Sequence, residues 1–310
     1  MTMMDEKRIS DAYEAIAALA PTSHGLEARI TARARAHRQR RLLLTAGAAT
    51  AVAAVGVPLT LKERRPETAP AGAPSVIEAP LMFTPSWFPD GVTEQYRSVR
   101  FDTATGPEPG VVAGAGRGAA RSWLPPGVRA DTEGPGLVLY ADDRLGDDSG
   151  EPVDIAGRPG TLQTGDTVQV CWKAGPDWPG LTVAVQGLPD PVDVALRVAR
   201  STIHSSALMN LSMSSPWVPG RFTGGTTTAT VFPAAAGGWQ QSLLYCSADY
   251  LQTAEVVVRT GPPPASVIRW LAGPGVSLYV TGNSVTGAEA GRLIEELRWT
   301  TPDLSWVGDR

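Results

Sequence analysis

Hydrolytic catalysis requires a nucleophile, a base and an orienting acid within reach of one another. The chain has three histidines, His24, His37 and His204, and only His204 lies in the C-terminal body. It stands in "RSTIHSSALMN", a Ser-rich stretch that reads as a connector, with no G-x-S-x-G elbow and no S-x-x-K beside it. The scattered histidines and the two cysteines, Cys171 and Cys246, fit no zinc spacing. Two cysteines allow a single intramolecular disulfide, which would close a long loop and stabilise by roughly 4 kcal/mol; a pair of buried thiols fits the sequence as well. The acidic run "ADDRLGDDSGE" offers Asp142, Asp143, Asp147, Asp148 and Glu151 as oxygen ligands but lacks the D-x-D-x-D-G register of a calcium loop, so it reads as a solvated loop. "GAGRG" at 114–118 misses both phosphate-cradling patterns. These residues point to no catalytic set, no metal, no cofactor and a non-enzymatic protein.

The elements around them are mostly strands. "TVQVCW" sets Val168, Val170 and Trp172 on one face, and "LTVAV" does the same for Leu181, Val183 and Val185. Two helices interrupt this pattern. Asp190, Pro191 and Asp193 open "PVDVALRVARS", with Val192, Leu196 and Ala199 as its inner stripe; Thr286 and Glu289 form a capping-box pattern ahead of Ala290, Leu293, Ile294 and Leu297. "SWFPDG", "SWLPPG" and "PWVPG" place Trp87, Trp123 and Trp217 before Pro and Gly, which anchors a strand end and then turns the chain. Trp123 to Trp217 spans 94 residues, Trp172 to Trp270 spans 98, and Asp190 to Thr286 spans 96. This spacing argues for a duplication. The expected class is α+β: two related modules, 81–205 and 206–310, each an antiparallel sheet with one helix.

Charge divides the chain before these modules begin. Residues 1–65 carry a net +5 and the remainder −9. "LLLTAGAATAVAAVGVPLTL", Leu42 to Leu61, has no charge over twenty residues, enough for a helix of roughly 30 Å across a bilayer. Arginines are denser before it than after it, which places the N-terminus in the cytoplasm and the body outside. A cleaved leader ending near "AGA" at 71–73 is the competing reading. Ahead of the span, a helical head over 1–41 sets Ile9, Tyr13 and Ile16 on one apolar face, a surface for a cytoplasmic partner. Its arginines suit lipid headgroups, and no direct nucleic-acid binding is expected. Residues 62–80, rich in Pro and Ala, form a spacer.

This layout, with "EARITARARAHRQRRLLL" leading into one span and a β-rich body beyond, resembles the membrane proteins of high-GC Gram-positive bacteria that accompany extracytoplasmic-function sigma factors, including anti-sigma factors. The segments "SWFPDGVTEQYRSVRF" and "DPVDVALRVARS" are similar to sigma-regulatory and lipoprotein-carrier-like domains, which hold lipidic or cell-wall ligands. The resemblance implies a single-pass, membrane-anchored regulator or sensor. Its partners would be the lipid bilayer, a sigma factor or other cytoplasmic regulator, and an envelope ligand. Many such anti-sigma factors carry a zinc-binding His and Cys set in the head, and this head has no cysteine. The second reading is an envelope binding or scaffolding protein, for glycan or lipid, whose head acts only as an anchor.

Overall fold

Alternating apolar and polar residues from Leu81 onward do fold as strands, and most of the strands join into one sheet. The computed structural model describes residues 77–103, 118–130, 134–142, 149–175, 179–234, 237–264, 267–273 and 275–309. All of these belong to the compact unit Ala49–Arg310. The head with Ile9, Tyr13 and Ile16, the apolar segment from Leu42 to Leu61, and the spacer as far as residue 76 lie outside the described residues.

Short strands β1 (Ile77–Pro80) and β2 (Phe83–Pro85) lead into β3 (Thr93–Asp102), β4 (Gly118–Leu124) and β5 (Gly136–Asp142). A hairpin of β6 (Glu151–Ile155) and β7 (Arg158–Gln163) follows, then β8 (Thr167–Lys173), β9 (Gly180–Gln186) and helix α1 (Pro191–Ser201). The chain continues through β10 (Thr202–His204), β11 (Leu208–Leu211) and β12 (Met213–Ser214) to the long strands β13 (Thr226–Pro233), β14 (Trp239–Cys246) and β15 (Thr253–Thr260). It ends with β16 (Arg269–Gly273), β17 (Val276–Gly282), helix α2 (Gly287–Glu296) and β18 (Arg298–Trp299).

Twelve of these strands form one antiparallel sheet in the order β16-β17-β15-β14-β13-β3-β4-β5-β9-β8-β7-β6. This corrects the expected pair of α+β modules with separate sheets. The described chain is mostly β, and β3 pairs directly with β13 across the supposed boundary, with Ser98 opposite Thr230 and Phe101 opposite Thr227. The physical reason is edge satisfaction: two small sheets would leave two long rows of unpaired N–H and C=O groups, and pairing β3 with β13 removes both. One shorter pair, β1 with β11, crosses the same boundary, while β2 pairs with β10 and β12 with β18 on either side of it.

Outward from the β3–β13 seam the two arms run in matching order, β3-β4-β5-β9-β8 on one side and β13-β14-β15-β17-β16 on the other, and a helix follows β9 and β17 alike. Only the first arm carries a further hairpin, β7-β6, outside β8. Two of the spacing landmarks fail in detail. Trp123 lies inside β4, whereas Trp217 lies in the turn before β13, so its positional counterpart is Trp87. Trp172 belongs to the core under α1, but Trp270 is opposite Tyr279, whose neighbours Leu278 and Val280 belong to the core under α2 on the same face of the sheet. Trp270 therefore projects from the other face, because a one-residue offset reverses every side chain of a strand.

Both helices pack on one face of the sheet. Val194, Ala195, Val198 and Ala199 of α1 are buried with Leu139, Val170 and Val183; Ala290 and Leu293 of α2 are buried with Val256, Leu278 and Val280. The buried stripe of α1 thus differs from Val192, Leu196 and Ala199, since Val192 is exposed. Thr286 and Glu289 do form both bonds of the capping box at α2, while Asp190 sits in a left-handed conformation and its side chain makes no cap bond.

Among the described residues no helix is long and apolar enough to cross a membrane. The longest, α1, has 11 residues and covers roughly 16 Å, about half of a bilayer's hydrocarbon core. The expectation of a single-pass membrane protein, cytoplasmic at its N-terminus and extracytoplasmic beyond, is corrected on this ground; the segment it rested on is not among the described residues.

Candidate functional site

At the seam, on the helix-covered face, the apolar core is broken by charge. Glu94 of β3 is fully buried, and Arg97 of β3 and Arg121 of β4 are buried beside it. Arg97 donates from Nε to Glu94 Oε1 and from Nη2 to Oε2, both at 2.9 Å. Arg121 donates from Nε to Oε1 at 2.7 Å and from Nη2 to Oε2 at 2.8 Å. Two arginine forks thus close on one carboxylate, the strongest geometry available to this pair of groups. Burial works to raise the Glu94 carboxyl; the hydrogen bonds from Arg121 and Arg97 outweigh it and hold the group below the usual carboxylate range. A carboxylate so saturated is a structural clasp and not a proton shuttle.

The position of the clasp explains its cost. Along β4 it lies between Ala119, which belongs to the core under α2, and Trp123, which belongs to the core under α1. The C-terminal segment covers it: Trp306 lies against Arg97 at 4.4 Å, Gly308 donates its N–H to the Glu94 carbonyl at 3.0 Å, and the Glu94 N–H donates to the Asp309 carbonyl at 2.8 Å. Arg121 rests over the ring of the fully buried Trp123 at 5.0 Å. Sequence reasoning passed over these residues; the available signal was charge inside two strand patterns, "TEQYRSVRF" and "GAARSWL".

The Trp-x-Pro elements have a local role. Trp87 lies under Arg197 of α1 at 3.9 Å and Trp217 under Arg292 of α2 at 4.3 Å, so each arm uses one tryptophan to seat the helix that follows its last long strand. Trp123, the third of the set, is core. Next to Trp217, the turn Gly220–Phe222 carries Arg221, whose Nη1 and Nη2 each donate to a Glu289 carboxylate oxygen at 2.7 Å and whose Nη2 also reaches the Ser284 carbonyl. Glu289 therefore serves both the α2 capping box and the turn. The Arg221 guanidinium, then the Thr286 N–H, hold its carboxyl down at about 2. Glu289→Ala removes both contacts and is expected to cost about 1–2 kcal/mol at pH 7, measured as a denaturant midpoint. Because the folded value lies below the unfolded one, this contribution is complete above about pH 4.3 and drains away as the pH falls toward 2.

The remaining sequence candidates are not brought together. Cys171 on β8 and Cys246 on β14 stand as thiols six strand steps apart, roughly 29 Å along the sheet at 4.8 Å per strand and far beyond disulfide reach. Cys171 Sγ lies 3.3 Å from Thr182 Oγ1. Burial pushes the Cys246 thiol up to about 11, which keeps it protonated at neutral pH. His204, on β10, meets the edge of Phe83 at 5.9 Å. Asp142 accepts from Arg100, and residues 143–148 of the acidic run lie outside the described residues. Among the described residues no three His, Cys, Asp or Glu side chains are grouped to hold a metal ion.

A different feature stands out at the rim. The sheet has two outer strands, β6 and β16. Along β6, Glu151, Pro152 and Asp154 are exposed, and charge with proline is how an edge is kept from pairing. The β16 rim instead exposes Trp270 at 54%, Leu271 at 44% and, one residue before the strand, Ile268 at 39%. Arg269 is its single charged side chain, and it lies against Gly291 of α2, where a Cβ would come within 2.5 Å of Nη1. An edge that shows large apolar side chains on both faces beside a row of backbone donors and acceptors has the chemistry of a strand-docking surface.

The chain matches no protein-family model, and no curated protein matches it.

Proposed function

We propose that this protein is a non-enzymatic regulator or sensor that acts by binding another polypeptide, with the β16 edge as its docking strand. The contrast between the two rims carries the reading: β6 is closed by Glu151, Pro152 and Asp154, while β16 presents Ile268, Trp270 and Leu271. In a regulator of the anti-sigma kind, the head face of Ile9, Tyr13 and Ile16 would supply the second contact, to a sigma factor or similar regulator. Strand docking draws affinity from main-chain hydrogen bonds and specificity from alternate side chains, so it asks for no catalytic group, metal or cofactor.

The test uses a labelled peptide with the sequence of residues 156–165, which contains β7, the strand that pairs with β8 in the first arm. The full chain is expected to bind it, as read by fluorescence anisotropy. Trp270→Asp with Leu271→Asp should weaken binding by at least about tenfold, the loss expected when 1.4 kcal/mol or more of apolar contact is removed. Equal binding by the parent and the double variant, or none by the parent as a monomer, would overturn the reading.

A further inference from the structure

The two arms of the sheet differ at one place, and the difference identifies what β16 lacks. In the first arm the strand beyond β9 is β8, and its outer side is taken by β7, which pairs antiparallel with Gly160 opposite Trp172 and Leu162 opposite Val170. Trp172 is consequently 5% exposed. In the second arm the matching strand is β16, and among the described residues its outer side has no such neighbour. Leu271, which like Trp172 shares the helix-covered face, is left at 44%. The neighbour that β7 gives to β8 is missing beside β16 in an otherwise matching arrangement.

We infer that the missing strand is β16 of a second copy of this chain, so that two sheets join edge to edge about a two-fold axis. This inference rests on the reading of β16 as a docking edge. An antiparallel pair of identical strands is self-complementary, as an isologous interface requires. Two registers are open to "RWLAG". Centred on Trp270, they set ring against ring and Arg269 opposite Leu271; centred on Leu271, they set leucine against leucine and Arg269 opposite Gly273. Neither register opposes the two arginines, the one charge that could forbid the pairing. The other rim cannot substitute, because Pro152 of β6 has no N–H to donate. The molecule already closes its own seam in this way, antiparallel and in register over Arg97–Asp102 and Thr226–Val231. At most five paired strand residues per copy make a small interface, so the dimer forms and dissociates with concentration.

Sedimentation of the full chain over a hundredfold concentration range tests this, together with cysteine variants in a Cys171→Ala, Cys246→Ala background. The expected result is a mass that doubles with concentration in the parent and stays single in Trp270→Asp with Leu271→Asp. A disulfide-linked dimer should form in one of Trp270→Cys or Leu271→Cys, whichever lies on the axis, because directly opposed Cα atoms are about 4.5–5.5 Å apart. A single mass throughout, or a dimer that survives the aspartate pair, overturns the inference. The β7 peptide separates this failure from that of the docking edge: a monomer that binds the peptide through Trp270 and Leu271 overturns self-pairing alone, and a monomer that ignores it overturns both.

Discussion

Glu94→Gln is expected to lower the stability of the folded chain by about 3–5 kcal/mol, measured as the shift of a urea or guanidinium unfolding transition at pH 7. The substitution is close to isosteric, so little of this is lost volume. It comes from Arg97 and Arg121, which are left buried with two charges and no carboxylate between them. Converting the whole clasp to apolar residues, Glu94→Leu with Arg97→Met and Arg121→Met, should recover most of the loss, because the desolvation of the two cations disappears with the cations. The clasp thus contributes little net stability and much register: it can close only when β3, β4 and the 304–309 segment are all in place. A pH series gives an independent reading. Glu94 has a folded pKa below its unfolded one, so its contribution is fully present above about pH 4.3 and is lost as the pH falls through the folded value. The Gln variant should show a correspondingly shallower loss of stability on acidification. An unchanged unfolding midpoint in Glu94→Gln would show that the arginines are not relying on that carboxylate.

Gly225→Ala is expected to cost about 3 kcal/mol, the upper part of the range for overpacking. Gly225 precedes β13, donates its N–H to the Phe222 carbonyl at 3.0 Å and accepts from the Thr103 N–H at 3.1 Å, so it ties the start of β13 to the end of β3 at the seam. A Cβ there would lie 1.9 Å from the Cys246 carbonyl oxygen. Every neighbour at that point is main chain, and no rotamer change relieves the overlap. Gly220→Ala, five residues earlier, meets nothing within 4 Å and should remain within about 0.5 kcal/mol of the parent in the same unfolding measurement. A comparable loss in both variants would mean that the seam is not what Gly225 protects.

Local periodicity made a good part of this fold legible in the sequence. The inward faces of β8 and β9, with Val168, Val170, Trp172, Leu181, Val183 and Val185, follow from alternation alone, since a strand must bury every second side chain. The capping box of Thr286 and Glu289 follows from a spacing of three, because both of its hydrogen bonds are local. The role of Glu289 toward Arg221 did not follow, as it depends on a turn 68 residues away. Spacing between tryptophans misled where it ignored the pleat: Trp172 and Trp270 sit on corresponding strands, yet a single-residue offset turns one into the core and the other outward.

The tertiary structure alone decided how the strands were shared out. Sequence determined that residues 81–310 would be rich in short strands with two amphipathic helices, because those choices depend on neighbours within one or two turns. It could not determine that β3 would pair with β13, since hydrogen-bonding edges are the same for every strand and partner choice is set by what remains unpaired once the arms have formed. The meeting of Glu94 with Arg121 depends likewise on the pairing of β3 with β4, and the exposure of Trp270 and Leu271 on β16 lying at one rim. Both are facts of strand order, which side-chain chemistry along the chain does not encode by itself.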